Sequence, residues 1–337
     1  MTGERADGPV AAGSPAGLAD VRPRALCECV VVVTPRSFAM SAPDLRSRLE
    51  EEVGVVRYCP GPLAAAALTE AVRDADGLLC GLDQVNAEVF AGAPRLRVVA
   101  RYGVGADRVD LEAAARHGVT VTITPGANAN AVAELTVALL FALARPLLSG
   151  RDRVHGGEWP ALSGVEVAGR TLGLIGLGRI GSLVAAKAAS LGLRVVAYDP
   201  NVHESGQATM VELGTLVAES DFVSLHAPLN EQTRGMVRRS LLERLKPGAA
   251  LINTARGGLI DEAALLWALE EGPLRAAALD VLAEEPPPRD HPLLNRDDVL
   301  VTPHMGPHTA EATAAMGAMA LDDLLSVLSG RPPKYPL

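Results

Sequence analysis

The chain has 337 residues, 48% of them hydrophobic and 21% charged, enough apolar material for two ordinary domains and too much for a disordered chain. Its formal charge is −9, and the basic residues are scattered, which excludes a binder of nucleic-acid phosphates. The longest plainly apolar run, Leu135 to Ala144, lies between Glu134 and Arg145 and is too short to cross a bilayer, so no membrane role is expected.

Residues 1–26 are rich in Gly, Pro and Ala without the long apolar core of a signal peptide, and read as a disordered leader. Cys27, Cys29, Cys59 and Cys80 have no second ligand pair at zinc spacing. They are expected to be free thiols in a reducing cytoplasm, with no metal site.

From Val30 onward β-branched runs alternate with helical patterns. Strands are predicted at Val30 to Val33, Val55-Val56, Gly77 to Cys80, Leu96 to Ala100 and Val119 to Ile123, with helices between them. The long apolar stretch Asn128 to Leu147 reads as a single helix bridging two domains. A second series follows at Thr171 to Ile175, Arg194 to Tyr198, Phe222 to Leu225, Ala249 to Asn253, Ala276 to Leu279 and Val299 to Val301. Thr309 to Leu328 reads as an amphipathic helix that returns to the first domain.

Alternation of this kind predicts an α/β fold of two doubly wound parallel sheets with a cleft between them. The expected division is a flavodoxin-like substrate domain over 27–124 plus 306–337 and a Rossmann domain over 125–305.

Gly176-Leu177-Gly178-Arg179-Ile180-Gly181 sits between a predicted strand and a predicted helix. There Gly176 suits a tight turn, Gly178 a close approach to pyrophosphate, and Gly181 close helix-to-strand packing. The amides at the helix start, including those of Arg179 and Ile180, would face the anion. Asp199 ends the next strand, eighteen residues beyond Gly181. A carboxylate there favours NAD(H) over NADP by binding ribose hydroxyls and repelling a 2′-phosphate.

Three further motifs lie at strand ends: Asn253-Thr254-Ala255-Arg256-Gly257-Gly258, Ala278-Leu279-Asp280-Val281 with Glu284-Glu285-Pro286, and Thr302-Pro303-His304-Met305-Gly306. Together with the glycine fingerprint they resemble the D-isomer-specific 2-hydroxyacid dehydrogenase family, which includes glyoxylate/hydroxypyruvate reductases and phosphoglycerate dehydrogenases. The resemblance runs from about Val30 to Leu328.

It implies a catalytic triad of Arg256, Glu285 and His304, hydride exchange between nicotinamide and a small 2-oxo or 2-hydroxy acid, and a homodimer. Physical chemistry assigns matching roles. Arg256 offers a planar fork to a carboxylate or developing alkoxide, His304 a proton for the carbonyl oxygen, and Glu285 a carboxylate that orients the imidazole. Reduction then needs His304 charged, and oxidation needs it neutral.

The resemblance also implies that the loop His226-Ala227-Pro228 lines the adenosine pocket and that Asp280 and the Thr254 backbone contact the nicotinamide carboxamide. By the same resemblance, Arg101, Gly103, Val104 and Gly105 of the loop Arg101 to Asp107 hold the substrate carboxylate, with Arg256 opposite. Arg36, in the loop after the first strand, is either solvated or aimed at a second anionic group.

Some phosphoglycerate dehydrogenases carry basic residues in the loop after the third strand. This chain has Gly81-Leu82-Asp83-Gln84 there, which points away from 3-phosphoglycerate. Formate enzymes of this type use glutamine where this chain has Glu285. An NAD(H)-sensing binding protein and a phosphite or phosphonate-related dehydrogenase remain as alternative readings of the same motifs.

Overall fold

The computed structural model describes residues 24–337. Of the leader expected over 1–26, residues 1–23 lie outside the described residues, and Leu26 already opens a short 3₁₀ turn, Leu26–Glu28.

The first sheet comprises β1 (Val30–Val33), β2 (Val55–Tyr58), β3 (Gly77–Cys80), β4 (Val98–Arg101) and β5 (Thr120–Thr122). All pairings are parallel, in the order β2-β1-β3-β4-β5. β1, β3 and β4 are buried along their whole length, as expected of strands covered on both faces, which therefore read as continuous apolar runs without alternation. Val31, Val33, Leu79 and Val98 pack toward Leu49 on one face, and Val32, Leu78 and Val99 pack toward Leu68 and Phe90 on the other.

The second sheet comprises β6 (Thr171–Ile175), β7 (Arg194–Tyr198), β8 (Thr209–Met210), β9 (Phe222–Leu225), β10 (Ala249–Asn253), β11 (Leu274–Leu279) and β12 (Val299–Val301). Its order, β12-β11-β10-β9-β6-β7-β8, reverses direction between β6 and β9. Each sheet therefore has one point at which the chain changes its direction of winding, β1/β3 in the first and β6/β9 in the second. A crevice opens at the carboxyl ends of the strands at such a point.

The helix Ala310–Leu328 packs on the first sheet through Met316, Ala320, Leu321, Leu324 and Leu328. Gly77 makes room for it: a Cβ there would lie 3.1 Å from Leu324. Its start is capped by the Thr309 side chain, which accepts from the Ala312 amide at 3.1 Å.

The bridging helix is shorter than expected. It runs Ala129–Ala144, and the chain then bends by 63° into a second helix, Leu147–His155. Pro146 explains the break, because its ring bars Arg145 from helical geometry and it has no amide to donate; Arg145 is accordingly extended. Among the described residues no single helix is long and apolar enough to cross a membrane.

Candidate active site

The glycine loop follows β6 directly. Gly176 has φ +99°, and a Cβ there would come within 2.6 Å of the His226 backbone. Only glycine lets the loop after β6 lie against the loop after β9. At Gly181 a side chain would strike the Gly176 carbonyl, whereas Gly178 opens onto free space. Gly178 is also the N-cap of the helix Arg179–Ser190, whose first amides have no partner within the helix.

Asp199 ends β7 beside this loop. Its carboxylate accepts from the Leu177 amide at 2.8 Å and the Asn201 amide at 2.9 Å, which leaves lone pairs on a half-buried group. The Arg179 side chain turns away and lies over Gly126, where a Cβ would collide with its guanidinium. His226 shares a hydrogen bond with Ser224 at 2.9 Å, and burial lowers its pKa to about 4, so it is neutral at physiological pH. Ala227 abuts Gly176, and the Pro228 carbonyl accepts from Thr233.

His304, Glu285 and Arg256 come from loops after β12, β11 and β10. His304 Nδ1 is 2.9 Å from Glu285 Oε2, and among the described residues its Nε2 has no hydrogen-bond partner. The His304 backbone adopts φ +52°, uncommon for a residue with a side chain. It is held there by its amide, which donates to the Asp280 and Thr302 carbonyls at 2.9 Å.

Burial raises the pKa of Glu285, but the His304 hydrogen bond and charge, the Leu282 amide and Arg108 outweigh it and hold the carboxyl below its ordinary value. The residue is thus an acceptor, ionised when it meets the imidazole.

Arg256 crosses the cleft to the first domain. Its Nε donates to Asp107 Oδ1 at 2.9 Å, and a Cβ on Gly105 would collide with Nη2. Gly105 is therefore glycine so that the guanidinium can lie against the loop. Burial raises the Asp107 pKa, yet the charge and hydrogen bond of Arg256 prevail and lower it. The next residue, Arg108, donates to Glu285 Oε2 at 3.4 Å. Two consecutive residues of the first domain thus contact two members of the expected triad with opposite charges. Neither Asp107 nor Arg108 was singled out from sequence, although the acid-base pair directly after a glycine loop was a signal.

Two of the residues expected to contact ligands, Arg101 and Asp280, lie inside the fold. Arg101 is only 3% exposed and supports the Gly103–Gly105 loop from behind, donating to the Gly105 carbonyl at 3.0 Å. Of its loop, Val104 faces solvent and Gly103 has open space over its α-carbon. Asp280 is 1% exposed, with both oxygens occupied by Thr302, Met305 and Gly306 at 2.6 to 2.8 Å, so it organises the His304 loop from within the fold. The Thr254 hydroxyl is 2.9 Å from that of Thr136 on the bridging helix, which anchors the start of the Arg256 loop. Among the described residues no group of three or more His, Cys, Asp or Glu side chains is placed to hold a metal ion.

A dinucleotide-type glycine loop at the β6/β9 winding reversal, in the same sheet whose strand ends carry the loops of Arg256, Glu285 and His304, defines a two-domain nucleotide-binding α/β protein. A family model described as D-isomer specific 2-hydroxyacid dehydrogenase, NAD binding domain, matches residues 137–306. The chain is 42% identical over 291 residues to a D-3-phosphoglycerate dehydrogenase of Methanocaldococcus jannaschii, covering 84% of this chain and 55% of that one. It is 39% identical to a glyoxylate reductase of Thermofilum pendens, covering 81% and 84%. The crystal structure of the TT0316 protein from Thermus thermophilus superposes with a TM-score of 0.83 at 39% identity, covering 91% of this chain and 99% of that one. The chain belongs to the D-isomer specific 2-hydroxyacid dehydrogenase family. It spans about half the length of the phosphoglycerate dehydrogenases it matches.

Proposed function

We propose that this protein is an NAD-dependent oxidoreductase that interconverts a small D-2-hydroxy acid and its 2-oxo acid. The observation that carries this reading is the His304–Glu285 pair at 2.9 Å, placed with Arg256 where the cofactor-type domain meets the Gly103–Gly105 loop.

The cofactor fits the residues present. The open face of Gly178 and the amides of Arg179 and Ile180 suit a pyrophosphate. Asp199 offers its remaining lone pairs to ribose hydroxyls and opposes a 2′-phosphate, and Pro200-Asn201-Val202 bring no cation to reverse that preference for NAD over NADP. The loop His226-Ala227-Pro228 borders the same crevice and would take the adenosine side, with the Thr254 backbone toward the nicotinamide. When bound, nicotinamide supplies or accepts the hydride at substrate C2.

The chain's own residues do the rest. The amides around Gly103, Val104 and Gly105, with the Arg256 guanidinium, hold the substrate carboxylate. In reduction His304 Nε2 gives its proton to the carbonyl oxygen, completing the alcohol; in oxidation it takes that proton back. Glu285 fixes the ring through Nδ1 and stabilises the imidazolium.

The protein is inferred to act as a homodimer in the cytoplasm. Leu147, Leu148, Val154, Trp159 and Leu162, interspersed with charged residues, are exposed in the segment beyond the bridging helix, with Trp159 at 90% exposure, and large exposed hydrophobic side chains in one segment suit an association surface. All four cysteines are free, in keeping with a reducing compartment.

The test is NADH oxidation with glyoxylate, hydroxypyruvate, pyruvate and 3-phosphohydroxypyruvate, run beside His304→Ala. Turnover is expected to fall about 10²-fold or more in the variant, the usual scale for a general acid. Reduction should weaken and oxidation strengthen as pH rises. Equal turnover in both proteins, or both directions moving together with pH, would overturn the assignment.

A further inference from the structure

A cavity of about 410 Å³ opens at the β1/β3 winding reversal of the first domain, and its wall includes Arg36, Tyr102, His304 and His308. At about 30 Å³ for each water-sized group it has room for more than a dozen. Glyoxylate, with five non-hydrogen atoms, leaves most of that space unfilled. None of the glycine-loop residues lines it, so the space extends away from the cofactor crevice.

The loop that carries Arg36 is firmly anchored. The Thr34 amide donates to the Leu79 carbonyl at 3.0 Å, the Thr34 hydroxyl donates to Asp83, and Phe38 is buried against the edge of Tyr102. The Tyr102 hydroxyl lies 3.4 Å from the Ser37 carbonyl. Between these fixed points the Arg36 side chain is exposed, and among the described residues it has neither an ion pair nor a hydrogen bond.

Among the described residues, the one carboxylate in the wall, Asp83, makes no ion pair with Arg36. Asp83 is 1% exposed, and its oxygens are taken by the Thr34 hydroxyl and the amides of Leu63 and Gly81, at 2.7 and 3.1 Å for the amides. His308 is held below its ordinary pKa by burial and by the neighbouring His304, so at neutral pH it contributes a neutral imidazole. The wall thus presents one exposed cation, Arg36, beside the imidazoles of His304 and His308.

We propose that this cavity is a distal subsite, in which Arg36 binds a second anionic group, carboxylate or phosphate, at the far end of a 2-oxo acid whose reacting carbonyl faces His304. The inference rests on the oxidoreductase reading above and adds its substrate class, a doubly anionic acid in preference to a short monoanionic one. The cation comes from the loop after β1. The loop after β3 contributes only Gly81, Leu82 and the saturated Asp83, so the fork is supplied from the other side of the reversal.

The experiment compares kcat/KM for glyoxylate and pyruvate with that for oxaloacetate, 2-oxoglutarate and 3-phosphohydroxypyruvate, in the wild-type chain, Arg36→Gln and Arg36→Lys. The wild type is expected to prefer at least one doubly anionic acid. Arg36→Gln should lower kcat/KM for that acid about 10- to 100-fold, the scale of a charge-assisted fork, mainly through KM. Glyoxylate should change less than about twofold, since its contacts lie elsewhere. Arg36→Lys should restore part of the loss, as a point charge lacking the fork. The two dicarboxylates and the phosphorylated acid separate the two anion types.

If glyoxylate is reduced but Arg36→Gln affects all acids alike, or the wild type ignores the distal charge, the subsite is overturned while the oxidoreductase reading stands. If no compound is reduced although NADH binds, the underlying reading fails, and the subsite with it.

Discussion

The contact between Asp107 and Arg256 decides how the guanidinium is presented. An arginine at a cleft edge has many rotamers, and fixing one costs entropy unless another group holds it. Asp107 Oδ1 holds Nε at 2.9 Å, and the bare α-carbon of Gly105 lets Nη2 lie on the Gly103–Gly105 loop. Asp107→Ala should therefore raise KM for the 2-oxo acid about tenfold with a smaller change in kcat, a loss of the order expected for one charge-assisted hydrogen bond. NADH affinity, measured by fluorescence titration, should stay unchanged. A loss confined to kcat, or equal loss of NADH binding, would contradict this.

The contact also has a pH sign. Because Arg256 lowers the Asp107 pKa below the ordinary carboxylate value, the stabilisation is fully present above about pH 4 and fades as pH falls through the lower folded value.

At the scale of elements, the helix Ala310–Leu328 completes the first sheet although it follows the entire second domain in sequence. Leu324 is fully buried in that contact. Leu324→Ala should cost about 2 to 5 kcal/mol of stability, the range for a buried leucine whose cavity cannot fully collapse, read as a lower midpoint in denaturant unfolding followed by circular dichroism. An effect under about 1 kcal/mol would mean that the helix is not part of the cooperative core. The helix was legible from Thr309 to Leu328 because its apolar spacing is a local signal. The end of the bridging helix was misjudged because apolar residues resume at Leu147 and Leu148 beyond Arg145 and Pro146, whereas the proline's sterics end the helix at Ala144.

For the whole molecule, both winding reversals border the cleft, one holding the glycine loop and the other the Arg36 loop, with the His304–Glu285 pair contributed by loops of the second sheet. The exposed run from Leu147 to Leu162 lies outside this cleft. If it is the self-association surface, Trp159→Glu should shift the chain from dimer to monomer in analytical ultracentrifugation at micromolar concentration. A wild-type monomer, or a variant that remains dimeric, would exclude that face.

Sequence by itself determined the two parallel sheets and the glycine loop, because strand periodicity and turn chemistry are encoded within a few residues of one another; Arg256, Glu285 and His304 are singled out by the resemblance of their strand-end motifs to a known family. It left open which charged side chains face the cleft. Arg101 and Asp280, expected from the resemblance to contact ligands, are buried, whereas Arg36 lines the cavity and Asp107 and Arg108 reach the expected triad. The direction of a long side chain depends on partners distant in sequence: Asp107 and Arg256 are 149 residues apart, and Arg108 and Glu285 are 177 apart. Only the packing of two domains against each other brings such pairs together, and no local pattern records it.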